Sequence, residues 1–151
     1  HPDEWEWAAA AINKVLDAIP GPGVGAVHLC FGNYGGQTIQ QGSWDKLLGY
    51  LNALHVDHIV MENAHRPVEE LAAFKGLRPE IGMGMGVVDI KRTDIESADA
   101  IARQIEAAEK LLGEGRVKYI HPDCGFWMLP RNVADGKIRA LVAGRDLFEG
   151  K

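Results

Sequence analysis

Apolar positions along the chain follow two spacings, one typical of strands and one typical of helices. Four short apolar runs, each followed by polar or glycine-containing segments, predict strands at residues 24–31, 58–62, 81–89 and 116–120. Around them, apolar residues recur every three or four positions and predict helices at residues 8–19, 44–54, 68–74, 97–112 and 133–147. Helix and strand therefore alternate along the chain.

Strands of this kind, mostly apolar and separated by helices, are typical of a parallel sheet covered by helices, which is the α/β class. Polar residues lie at or just past the carboxyl ends of these strands: His28, Cys30, Glu62, Asp89, Asp123 and Cys124. Both (β/α) barrels and open doubly wound sheets gather functional residues at this edge. A complete barrel needs about 250 residues, so a barrel built from these 151 residues would be a half, with about four β/α units.

The third predicted strand has glycine at every second position of residues 82–86. Residues two apart share a face of a strand, so we expect another backbone or a ligand to approach closely there. Before the longest helix, Thr93 and Glu96 form a capping-box pattern, and Ser97 is a competing N-cap.

Four of the polar residues at the strand ends have side chains that suit zinc. His28 and Cys30 are two positions apart in a predicted strand and would present an imidazole and a thiol on one face. Cys124, the other cysteine of the chain, and Glu62 follow two further strands. Alone, the first pair is explained equally well by a buried histidine and a packed thiol. The zinc prediction therefore depends on all four residues together.

Asp89 and Asp123 are the predicted catalytic residues, which would hold hydrogen bonds to metal ligands or to substrate. The alternative for both is the capping of loops and helices. Two pairs of residues, His65-Arg66 and Lys91-Arg92, could neutralise an acidic substrate. The alternative for each of these residues is a position on the solvated surface without a role in binding.

Composition and charge argue against several classes of function. The sequence is 46% hydrophobic and 25% charged, as expected for a globular domain. A formal net charge of −5 with scattered basic residues favours neither nucleic-acid nor membrane partners. No run is long and apolar enough to span a bilayer, no export leader is evident, and two cysteines do not suggest a secreted disulfide framework. We expect a cytoplasmic protein that acts on small molecules.

The strand-end motifs, in their order, resemble the C-terminal catalytic domain of the cobalamin-independent methionine synthase family. They are His28-x-Cys30, Glu62, Gly86-Val87-Val88-Asp89 and Pro122-Asp123-Cys124-Gly125, and the resemblance runs from about Trp7 to Arg145. It implies that the four candidate ligands bind Zn²⁺. It also implies a (β/α)₈ barrel of which residues 1–151 form a partial domain with strands five to eight, without the N-terminal half.

The resemblance further implies a zinc-dependent enzyme that transfers a methyl group from 5-methyltetrahydrofolate or a related donor to the thiol of homocysteine. Two departures bear on this function. Methionine synthases have an I-H-S segment where this chain has Ile90-Lys91-Arg92, which is closer to the short single-domain relatives, and the family's D-E-P segment would lie before His1.

These departures leave two alternatives, alkyl transfer to another thiol such as coenzyme M and a non-catalytic zinc-binding half-barrel. We expect activity only together with the N-terminal half. We also expect the chain to associate with itself or to pair with that half.

Overall fold

The computed structural model describes residues 2–151, in which four parallel strands alternate with helices. The strands are β1 (Ala26–Leu29), β2 (His58–Met61), β3 (Gly82–Val88) and β4 (Val117–Pro122). The α-helices are α1 (Pro2–Leu16), α2 (Leu48–Ala53), α3 (Ala98–Leu112) and α4 (Arg131–Phe148), and two 3-10 helices span Trp44–Leu47 and Val68–Gly76. Each predicted strand is confirmed. None of the helices within residues 2–151 has the length and apolar character needed to cross a bilayer.

Strand order identifies the architecture. The order in the sheet is β1-β2-β3-β4, and every neighbouring pair is parallel. Crossovers between parallel strands are right-handed, so an order that never reverses puts every connecting helix on the same face of the sheet. A doubly wound sheet would reverse its order and carry helices on both faces. The fold is therefore α/β, with the four β/α units of half a (β/α)₈ barrel, as predicted.

The two faces of the sheet differ in burial. In β2, Ile59 and Met61 are fully buried under the helices, and in β1 Val27 and Leu29 pack against the same core. On the opposite face, His28 of β1 is exposed. This second face corresponds to the interior of a barrel and is open along the first strand.

Glycines of β3 allow close approach from the neighbouring strands, as the sequence predicts. A Cβ on Gly86 would stand 2.0 Å from Oδ1 of Asp123 and 3.0 Å from the Met61 carbonyl oxygen. A larger residue would displace the Asp123 carboxylate, so Gly86 makes room for the segment that follows β4.

Several local predictions are corrected. The first helix begins at Pro2 and ends at Leu16, and the helix predicted from 44 to 54 is divided into a 3-10 turn and α2. The capping box is wrong: the hydroxyl of Ser97 accepts from the Ala100 N–H at 3.2 Å. The carboxylate of Glu96 instead accepts from the Asp89 N–H and from Nζ of the buried Lys137, because that ammonium needs an anionic partner inside the fold.

Candidate metal centre

The parallel register brings the predicted site residues to one edge of the sheet. Leu29 pairs with Met61, so the residues that follow them, Cys30 and Glu62, leave adjacent strands at the same level. Val88 pairs with Pro122, which places Asp89 and the motif after β4 at that level too. Segments distant in sequence thus meet at the carboxyl ends of the strands, where barrels carry their functional groups.

Three of the four predicted ligands form one cluster. The ligand atoms of His28, Cys30 and Cys124 all lie within 4.8 Å of one another. Cys124 Sγ is 3.5 Å from Nε2 of His28, and both cysteines are free thiols. Zinc bonds of about 2.0–2.3 Å in tetrahedral geometry separate neighbouring ligand atoms by roughly 3.3–3.8 Å. The donor types of this cluster and the distance from Cys124 Sγ to His28 Nε2 therefore fit zinc.

The pKa shifts of Cys124 and His28 show how a bound cation would change the protonation of the cluster. Burial, the neighbouring Cys30 thiol and the charge of Glu62 raise the pKa of Cys124 to about 12. Partial burial and the nearby His121 lower the pKa of His28. A neutral imidazole is ready to donate its lone pair, and a dication would offset the factors that disfavour the thiolate.

Glu62, the fourth predicted ligand, lies in a neighbouring network. Its side chain is 0% exposed. Oε2 accepts from the Phe31 N–H at 2.6 Å, and Oε1 accepts from Nζ of Lys91 and lies 3.2 Å from Nε2 of His65. With His65 and Asp123 it forms a second group of close ligand atoms. Its role as a zinc ligand stays a prediction.

Asp123 holds the loop that follows β2. Its carboxylate is fully buried, and Oδ1 accepts from the N–H groups of Asn63 and Ala64, each at 2.8 Å. Oδ2 lies 3.0 Å from Nδ1 of His65, and this hydrogen bond raises the pKa of His65. The histidine thus bridges the carboxylates of Asp123 and Glu62. These contacts make Asp123 a loop-capping residue, and its catalytic role stays a prediction.

Asp89 shapes the turn after β3. Its Oδ1 accepts from the Lys91 N–H at 2.8 Å, and its own N–H donates to Oε1 of Glu96 at 2.9 Å. This Asx-type turn directs the Lys91 side chain towards Glu62. The catalytic role of Asp89 likewise stays a prediction.

Two residues near Glu62 are more involved in the site than the sequence indicates. The side chains of Lys91 and His65 are only 11% and 27% exposed, and both contact Glu62. The solvated-surface alternative fits Arg92, which is exposed and pairs with Asp94. Arg66 lies 4.0 Å above the Phe31 ring. The lysine two positions after Asp89 was the available signal, because an Asx turn at a strand end returns that side chain to the site.

The unreversed parallel sheet defines a (β/α) barrel domain. A histidine and two thiols at the carboxyl edge of this sheet form a candidate metal centre. Residues 26–144 match the family described as "Cobalamin-independent synthase, Catalytic domain", and the chain belongs to this family. The resemblance in sequence is thereby confirmed.

Relatives in this family extend beyond the region that this chain matches. The chain is 33% identical over 147 residues to a methionine synthase of Pyrococcus horikoshii, covering 97% of this chain and 39% of that protein. It is 31% identical to a methionine synthase of Thermococcus kodakarensis, of which it covers 40%. A solved B12-independent methionine synthase from Shewanella sp. W3-18-1, in complex with selenomethionine, superposes with a TM-score of 0.72 at 25% identity, covering 96% of this chain and 43% of that one.

Proposed function

We propose that the protein is a zinc-dependent methyltransferase that moves a methyl group from 5-methyltetrahydrofolate or a related donor to the thiol of homocysteine. The observation that carries the proposal is the cluster of His28, Cys30 and Cys124 at the carboxyl edge of the sheet. Family membership and the names of the similar proteins support the same reaction.

His28, Cys30 and Cys124 would hold the zinc ion, with Glu62 as the fourth ligand. When bound, zinc supplies acidity: a thiol at the metal loses its proton near neutral pH and becomes a nucleophile. Two thiolates and one carboxylate around a dication leave a net charge of about −1, which keeps an incoming sulfur electron-rich.

Other residues of the site act on these ligands. Asp123 holds the Asn63 and Ala64 N–H groups and so fixes the loop that begins at Glu62. His65 links the two carboxylates, and Asp89 fixes the turn that presents Lys91. The contacts of Asp123 and His65 keep Glu62 and its loop in one orientation, and contacts of this kind strengthen metal binding.

The proposal includes a partner for the open face of the sheet. The chain spans about two-fifths of the relatives that it matches, and it matches a region that we assign to strands five to eight. We propose that an N-terminal half-barrel covers the open face, contributes to binding of the methyl donor, and is needed for activity. We also propose a cytoplasmic location, and the net charge of −5 favours neither nucleic-acid nor membrane partners.

A second candidate reaction is alkyl transfer to a different thiol, such as coenzyme M. The observation that favours it is the Ile90-Lys91-Arg92 segment, which departs from the I-H-S segment of methionine synthases and places a cation beside Glu62. Comparing acceptor thiols distinguishes the two reactions.

The test uses the full-length protein, two variants of the cluster and one control variant. We expect one zinc per chain, and we expect His28→Gln and Cys124→Ser to lose zinc and methyl transfer together. His55→Gln is the matched control, because His55 is exposed and pairs with Asp17 away from the cluster. Zinc content by atomic absorption and methionine formation are measured on each protein. Retention of zinc and activity in His28→Gln would refute the proposal, and zinc binding without transfer to any thiol would leave the non-catalytic module.

A further inference from the structure

The ion pair between Lys91 and Glu62 connects two strand ends beside the metal cluster. Glu62 follows β2 and Lys91 follows β3. The Glu62 side chain is 0% exposed and that of Lys91 is 11% exposed, so the pair is nearly closed to solvent. A buried carboxylate is costly unless a cation or hydrogen-bond donors face it.

The two oxygens of Glu62 have different partners. Oε2 accepts from the Phe31 N–H at 2.6 Å, which ties it to the residue next to Cys30. Oε1 faces Nζ of Lys91 and Nε2 of His65. A cation at the thiol cluster and the Lys91 ammonium would therefore compete for this one carboxylate.

We propose that Lys91 is a positioning residue that receives the Glu62 carboxylate whenever that carboxylate is not bound to a cation at the cluster of His28, Cys30 and Cys124. This inference rests on the proposed function, because it assigns to Lys91 a part in the exchange of Glu62 for a substrate thiol. The four-carbon stem of lysine lets its ammonium follow a carboxylate over a short displacement.

Charge balance explains why a cation here favours exchange. A thiol that binds in place of Glu62 would give its proton to solvent and act as a thiolate, so one anionic ligand would replace another. The released Glu62 carboxylate would then face the Lys91 ammonium in its buried position, beside His65 and the Phe31 N–H. Lys91 also repels a dication at the cluster, so it weakens metal binding and makes Glu62 the most readily exchanged ligand.

The Asx turn and a buried lysine hold Lys91 in place for this role. The Asp89 side chain caps the Lys91 N–H. The Asp89 N–H donates to Glu96, whose carboxylate is held by Lys137 of α4. The backbone of Lys91 is therefore fixed by the turn after β3, the segment before α3 and α4, while its side chain keeps the freedom to follow the carboxylate.

The experiment compares Lys91→Met, Lys91→Gln and Lys91→Arg in the full-length protein. Lys110→Met is the matched control, because it removes an exposed lysine that pairs with Glu106 on α3. Zinc affinity is measured by competition with a chromogenic chelator. The zinc-edge spectrum is then recorded while homocysteine is added to each zinc-loaded protein.

We expect Lys91→Met and Lys91→Gln to bind zinc about 10- to 100-fold more tightly, the range over which groups around metal ligands change affinity. We also expect both to need more homocysteine to bring a third sulfur to the metal. Lys91→Arg keeps the charge and should stay near wild type, as should Lys110→Met. If the methionine variant does not fold, the glutamine variant decides the result.

Unchanged or weaker zinc binding in Lys91→Gln, with an unchanged thiol response, would overturn the inference and leave Lys91 as a structural ion-pair partner. In that case a zinc-loaded wild type that takes up homocysteine would still support the proposed function. A wild type that binds no zinc would instead refute the proposed function, and the role of Lys91 with it.

Discussion

At the scale of single residues, the site depends on one buried carboxylate and the glycine beside it. Asp123 accepts two backbone N–H groups from the loop after β2 and faces His65. Gly86 leaves the space that Asp123 occupies, since a Cβ there would stand 2.0 Å from Oδ1. The loop that begins at Glu62 therefore keeps its conformation only while residue 86 has no side chain.

Gly86→Ala should destabilise the protein by about 3 kcal/mol, because the methyl group displaces a buried, hydrogen-bonded carboxylate. Zinc binding should weaken in the same variant. Gly49→Ala in α2 is the control: a Cβ there meets no atom within 4 Å, and alanine is the better helix former. Urea unfolding of both variants measures the difference. Equal stabilities would show that Asp123 can move without cost.

His58 should make stability depend on pH. Burial and the nearby His121 lower its pKa from 6.5, although Asp57 acts in the opposite direction. His58 therefore binds a proton more readily in the unfolded chain than in the folded chain. The free energy of unfolding should fall as the pH drops below about 6.5 and should level off below the pKa of the folded state.

His58→Gln should flatten this loss of stability, whereas the exposed His55→Gln should retain it. Urea unfolding of the metal-free protein at several pH values between about 7 and 5 tests the difference. A pH dependence that is identical in wild type and His58→Gln would contradict the assignment.

At the scale of elements, the spacing of apolar residues was enough to predict the strands, the α/β class of the fold and the edge of the sheet where polar residues meet. The prediction succeeded because parallel strands place their carboxyl ends together, so His28, Cys30 and Cys124 converge wherever the strands form. The capping box failed because tertiary contacts with Asp89 and Lys137 decided the partners of Glu96. The Glu62–Lys91 pair was missed, because the spacing of Asp89 and Lys91 indicates an Asx turn but does not indicate how that turn is oriented.

Lys137 is the tertiary contact that redirects Glu96. Its side chain is 0% exposed, and Nζ contacts both carboxylate oxygens of Glu96 and the Asp94 carbonyl. Lys137→Met should lower the free energy of unfolding by about 3 kcal/mol, near the low end for a broken buried pair because Glu96 retains contact with water. Lys110→Met, which removes an exposed pair, should change it by less than about 1 kcal/mol. Guanidinium unfolding of the two variants gives the comparison, and equal effects would contradict it.

At the scale of the whole molecule, the four strands within residues 2–151 are in unreversed order, and β1 and β4 are the unpaired edges of this described sheet. Helix α4 also exposes Ile138, Val142, Leu147 and Phe148. Unpaired strand edges and apolar surface favour association. Residues 1–151 alone should therefore sediment as concentration-dependent oligomers and catalyse poorly. A monomer at all concentrations, with cooperative unfolding, would contradict the half-barrel interpretation of the open face.

The central claim is that the cluster of His28, Cys30 and Cys124 holds a zinc ion that accepts a substrate thiol. The most direct test is the zinc X-ray absorption spectrum of the zinc-loaded full-length protein, with and without homocysteine or coenzyme M. We predict two sulfur neighbours at about 2.3 Å with lighter donors in the resting protein, and a third sulfur when the acceptor thiol is added. A spectrum that stays unchanged with every thiol would contradict the account.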